Sequence, residues 1–143
     1  MGAGTKELLA VLCANVLSVL QFAVPVWTTM LTRAEEHQIE SVLKTGLYLV
    51  LGPHRYKSYK WALNESKMIT LKQQRNQIFA NFTKSCLRNE KFSKWFELTE
   101  VNNGTVTRSK KSTYKMVPAR TQAYERSPIP QMTIIANQLM SKS

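Results

Sequence analysis

Aspartate is missing from this chain altogether, and its nine acidic side chains, all glutamates, stand against twenty lysines and arginines. Histidine is limited to His37 and His54, and neither joins a Ser-His-Asp or Cys-His grouping. Cys13 and Cys86 are the two cysteines, with no companion His or Cys at metal-ligand spacing. Free, buried thiols in a reducing compartment are the expected state, because Cys behaves as a small hydrophobe. Glycine is scarce, and Gly2-Ala3-Gly4 is too short for a phosphate-cradling loop. Hydrolase, metalloenzyme and nucleotide-loop chemistry therefore have no constellation to stand on. No metal and no cofactor is expected.

What the chain has in excess is positive charge, placed unevenly. Residues 1–53 carry three basic and four acidic side chains, net −1; residues 54–95 carry ten and two, net +8; residues 96–143 carry seven and three, net +4. With 143 residues and +11 overall, one domain with a polyanionic partner is the natural reading, nucleic acid first and anionic membrane second. The region from residue 8 to 32 has no charge at all. Asn15, Ser18 and Gln21 make a polar stripe there, opposite Leu9, Leu12, Cys13, Val16, Leu17, Leu20 and Phe22. That pattern predicts a buried amphipathic core helix, ended by Pro25, rather than a membrane span. An intracellular location, nucleus or cytoplasm, is the matching expectation.

The next helix announces itself with Thr32-Arg33-Ala34-Glu35, a capping box. Ile39, Val42, Leu43, Gly46, Leu47 and Val50 then share one face, with Gly46 leaving room for the first helix. Gly52-Pro53 stops it. A short helix opens at Ser58 or Tyr59, and Thr70 caps a longer one to about Asn89, with Leu71, Ile78, Phe79, Phe82 and Cys86 on one arc. Arg75 falls inside that arc, and a structural pairing with Glu40 or Glu65 is expected. Phe92, Trp95 and Phe96 form an aromatic turn expected to close the core. From Glu100 the chain turns polar, and Ser127-Pro128-Ile129-Pro130 opens a last helix. The whole is read as all-α: a small bundle of about four to five helices (1–99), an extended basic arm (100–127), and a terminal helix and tail (128–143).

Binding residues follow from the charge. Arg55, Lys57, Lys60 and Lys72 surround the short helix; Lys84, Arg88 and Lys91 continue along the long one; Arg108, Lys110, Lys111, Lys115 and Arg120 stud the arm. Such residues contact phosphates without reading sequence. Tyr56, Tyr59 and Tyr114 either stack on bases or finish the core. Three Asn-x-Ser/Thr sequons, at Asn64, Asn81 and Asn103, would matter only in a secreted protein. They belong to the rival reading, a membrane-associated or secreted helical protein whose basic surface meets anionic lipid or a protein partner.

An ordered series of short matches spans roughly residues 5 to 137. It comprises Ala23-Val24-Pro25-Val26-Trp27 with Leu31-Thr32; Leu51-Gly52, Tyr56, Ser58-Tyr59, Ala62-Leu63 and Thr70-Leu71 with Gln74-Arg75; Lys84-Ser85-Cys86-Leu87-Arg88-Asn89 with Lys91-Phe92; and Ala119-Arg120, Tyr124 and Ser127-Pro128-Ile129-Pro130. The series resembles the thumb and post-thumb region of LINE-type non-LTR retrotransposon reverse transcriptases. In that family the fingers, the palm and the metal-binding aspartates of polymerisation lie upstream, so the resemblance implies a detached piece of an RNA-directed DNA polymerase without an active site of its own. It further implies helices that grip a template-primer duplex, RNA–DNA or RNA, through its backbone. The implied partners are RNA or DNA, upstream reverse transcriptase domains, or a second copy through the first helix. Two departures stand out: Gln21 where the family tends to have an acid, and Gln74 where a second Arg is frequent.

Overall fold

Side-chain hydrogen bonds decide where these helices start and stop. The computed structural model describes residues 4–52, 57–98, 113–116 and 118–141, and is mainly helical, with no strand among the described residues. In chain order the elements are α1 (Thr5–Val11), a π-helical segment (Leu12–Leu17), α2 (Ser18–Gln21), α3 (Val24–Trp27), a 3-10 turn (Thr28–Met30), α4 (Arg33–Leu51), α5 (Tyr59–Glu65), α6 (Leu71–Arg88), α7 (Glu90–Ser93), α8 (Gln122–Glu125) and α9 (Pro128–Ser141). The pieces outnumber the four to five helices expected, because the first helix is segmented and short turns of helix interrupt the connections. The chain divides into two compact units. One takes the chain up to Val24 with Leu31–Gln77, and the other takes Pro25–Met30 with the chain from Ile78 onward.

In the first unit, Leu12, Leu17, Leu43, Leu47, Ala62, Leu63 and Leu71 form the core. The Thr32 hydroxyl accepts the Glu35 amide at 3.3 Å while the Glu35 carboxylate accepts the Thr32 amide at 2.8 Å, so the capping box closes as its sequence requires. The Thr32 amide and hydroxyl, each donating to the Glu35 carboxylate at 2.8 Å, hold that carboxyl below its usual range. At the other end Gly52 sits at φ 77°, which its missing side chain permits. Pro53 lies outside the described residues.

The first helix departs from expectation. Asn15 Nδ2 donates to the Val11 carbonyl and the Ser18 hydroxyl to the Ala14 carbonyl, side-chain bonds that compete with the regular ladder where the helix widens into its π segment. It ends at Gln21, short of Pro25, with Ala23 in the left-handed region at φ 51°. Pro25 instead lies in the first turn of α3, where a missing N–H costs nothing. Nor is the helix buried as a whole. Leu12 and Leu17 are in the core, but Cys13 is exposed and Phe22 is 78% exposed.

Ser58 caps α5 through the Trp61 amide, and a Schellman-type ending closes it, with Met68 N donating to the Leu63 carbonyl at 2.9 Å. Lys67 occupies the left-handed position of that ending at φ 55°, where glycine is usual. Lys67→Gly is therefore expected to raise the unfolding free energy by about 0.5–1 kcal/mol, measured by urea denaturation. An unchanged or lower midpoint would show that the ending carries no strain.

The buried line of α6 runs Leu71, Arg75, Phe79, Thr83, Cys86 at three- and four-residue intervals. Thr83 fits because its hydroxyl donates back to the Phe79 carbonyl at 2.9 Å. Phe82, expected on that arc, is displaced to the exposed side. In the second unit Phe79, Cys86, Phe96, Met132 and Ala136 make the core, and burial pushes the Cys86 thiol up. The helix opened by Ser127-Pro128-Ile129-Pro130 is observed as α9. The expected arm contains α8, capped by the Thr121 hydroxyl; residues 100–112 of that arm lie outside the described residues.

Candidate nucleic-acid interface

In the first unit two glutamates of α4 organise the start of α6. Glu36 stands 3.1 Å from Lys72 Nζ and 3.2 Å from Arg75 Nη2, and Arg75 is 2% exposed. Glu36, one turn before Glu40, thus pairs with Arg75, where Glu40 or Glu65 was expected. Glu40 has a different task, accepting the Leu71 and Lys72 amides at 3.2 and 3.4 Å and the Tyr59 hydroxyl. It therefore sits as an internal anion at the positive end of α6. Burial and the bond to Glu40 drive the Tyr59 phenol well above its ordinary range. These contacts commit Tyr59 to the fold, while Lys72, paired with Glu36, keeps its side chain 63% exposed. The hollow of about 350 Å³ beside them, lined by Arg33, Glu36, His37, Glu40, Lys72 and Arg75 among others, carries both signs of charge.

Near α5 the Lys57 ammonium lies 4.2 Å from the centre of the Trp61 ring, and Tyr48 donates to the Lys57 carbonyl at 2.7 Å. Lys60 is exposed. Arg55 and Tyr56 fall outside the described residues, as do Arg108, Lys110 and Lys111.

The second unit gathers the rest. Lys84 and Arg88, one turn apart on α6, and Lys91 and Lys94, in and just after α7, are all exposed. None of the four meets a carboxylate within 4 Å among the described residues. Asn89 makes the junction, its side chain accepting the Lys91 amide at 2.9 Å. The aromatic turn that follows is split. Phe96 is buried and meets Tyr114 edge-on at 5.8 Å, while Phe92 and Trp95 are 39% and 47% exposed and meet each other edge-on at 4.9 Å. The exposed pair was expected in the core. Three aromatic residues within five positions do not reveal which ring turns outward, but the neighbouring lysines, Lys91 and Lys94, were the available signal.

Tyr114 is fixed by its backbone. Its amide donates to Asn137 Oδ1 at 2.7 Å, its carbonyl accepts from Asn137 Nδ2 at 3.1 Å, and it forms an isolated antiparallel bridge with Leu98. The Lys115 amide donates to the Glu97 carbonyl at 2.7 Å. Between these segments lies a hollow of about 280 Å³ lined by Trp95, Glu97, Lys115, Met116 and Pro118, in which Lys115 Nζ stands 3.9 Å from the Glu97 carboxylate. Arg120 is exposed nearby in sequence. Of the tyrosines considered for stacking, Tyr59 and Tyr114 finish the packing.

No helix among the described residues is by itself long and apolar enough to cross a membrane; Thr5–Gln21 and Val24–Met30, bent by 43°, reach that length and composition only as a pair. No group of three or more His, Cys or Glu side chains is gathered as a metal would need, again among the described residues. Comparison with protein families, with characterised proteins and with solved structures returns no match.

Proposed function

We propose that this chain binds nucleic acid through its phosphate backbone, without sequence specificity, as a detached thumb-like piece of a LINE-type reverse transcriptase that carries no active site of its own. The observation that carries the reading is the exposed set Lys84, Arg88, Lys91 and Lys94, none within 4 Å of a carboxylate among the described residues, in a stretch of net charge +8. Lysines and arginines in that state release counterions when they meet phosphates. The two departures from the family's pattern meet in the structure, Gln21 Nε2 donating to Gln74 Oε1, and they leave neutral amides where the resemblance implies an acid and an arginine.

Binding of the purified chain to an RNA–DNA hybrid, duplex DNA and single-stranded RNA across a salt series tests the proposal. A steep fall of affinity with salt is expected. Changing Lys84, Arg88, Lys91 and Lys94 together to Ala should weaken binding roughly 30-fold and flatten the log-log slope by about 3. Absence of binding, or a slope that the four changes leave alone, would overturn the reading.

A second reading is favoured by one feature. The groove between α1, the π segment and α4 is about 520 Å³ and lined by Leu8, Val11, Leu12, Val42, Leu49 and Val50 among others, without a charged residue. An apolar surface of this kind suits a protein partner or lipid. Flotation of the chain with anionic but not neutral vesicles, and failure to bind nucleic acid, would put this reading first.

A further inference from the structure

We infer that the hollow beside Trp95 receives a single unpaired nucleobase, which stacks on the indole while the neighbouring cations hold the strand's phosphates. The inference rests on the nucleic-acid reading and adds to it a preference for unpaired over fully duplexed substrate. At about 280 Å³ the hollow falls just below the range of about 300–1,000 Å³ for small-ligand pockets, which suits one planar ring system better than an extended ligand. Its walls are the chemistry a base requires. Trp95 offers an indole nearly half exposed and braced edge-on by Phe92 at 4.9 Å, and Met116 and Pro118 complete an apolar lining.

Its one carboxylate decides which part of a nucleotide enters. Glu97 repels phosphate, and Lys115, 3.9 Å from it, keeps the mouth from net negative charge. The phosphates are left outside with Lys91 and Lys94, on either side of Phe92 and directly before Trp95 in the chain. The chain on both sides of the hollow is anchored before any ligand arrives. Phe96, next to Trp95, is buried against Tyr114, and Asn137 bonds both backbone groups of Tyr114, next to Lys115. A platform so anchored loses little freedom on binding. Stacking of this sort is indifferent to base identity, in keeping with binding that does not read sequence.

The test compares one duplex in two forms, blunt and with a single-stranded overhang, against the full chain and two variants. The unaltered chain should favour the overhang about tenfold. Trp95→Leu should lose that preference while keeping its affinity for the blunt duplex, and Trp95→Phe should keep most of it. Circular dichroism of each variant confirms that the fold is intact, as expected for a side chain at the surface. If the overhang gives no advantage, or Trp95→Leu weakens both forms equally, the hollow is not a base site, although binding of the blunt duplex would still uphold the backbone reading. If neither form binds, the nucleic-acid reading and this inference fall together.

Discussion

Glu36→Ala is expected to lower the unfolding free energy by about 3 kcal/mol, while Arg75→Met costs about 1 kcal/mol or less. The asymmetry follows from where the two charges sit. Arg75 is 2% exposed on the buried line of α6, and Glu36, 29% exposed, brings a carboxylate within 3.2 Å of its Nη2. Removing the acid leaves the guanidinium in place, short of its carboxylate and still unable to reach water. Removing the arginine in favour of an unbranched apolar chain fills the same volume and leaves Glu36 partly solvated and still 3.1 Å from Lys72. The double variant Glu36→Ala, Arg75→Met should therefore be more stable than Glu36→Ala alone. Urea denaturation of the three variants measures this, and a double variant less stable than Glu36→Ala would refute the argument.

That pair also shows what could be read from the sequence. A charged residue on an apolar arc demands a carboxylate, so the existence of the pair was legible at Arg75 itself. Which glutamate answers depends on the rotation and offset of α4 against α6, and neither Glu36 nor Glu40 carries that information in its own neighbours. Local bonds were more transparent. Thr32 with Glu35, Ser58 with the Trp61 amide, and Thr70 with the Gln73 amide at 3.2 Å are all caps whose partners lie three residues away.

The first helix was harder because its apolar residues exceed what one neighbour can cover. The polar stripe puts Leu12, Leu17 and Phe22 alike on the apolar side, and only packing reveals that the two leucines are buried and the phenylalanine is not. At the candidate interface the cations were visible as a run of charge. The outward turn of Trp95 was not, because Phe92, Trp95 and Phe96 have equal claims on a core that in the end admits one ring, Phe96.

Gly46→Leu is expected to destabilise the chain by about 3 kcal/mol, and the reason lies in a single contact. A β-carbon built on Gly46 would stand 2.6 Å from Leu12 Cδ1 and 3.5 Å from Leu12 Cδ2. The clash arises at the β-carbon, so no rotamer of the new side chain relieves it, and Leu12, 7% exposed in the core, must move its terminal methyls out of the contacts it makes there. Against this stands a gain of about 1 kcal/mol, because glycine is a poor residue for a helix interior. Gly46→Ala therefore sets nearly balanced terms against each other, whereas the leucine adds bulk beyond the clash. Leu12→Ala alone should cost about 2–3 kcal/mol by leaving a cavity. Combined with Gly46→Leu it should cost clearly less than the sum of the two, by at least about 1 kcal/mol, because the new side chain enters the space the old one vacates. A double-mutant cycle in urea reads that coupling. Additive losses would mean that the close approach of α4 to the π segment does not depend on the missing side chain at Gly46.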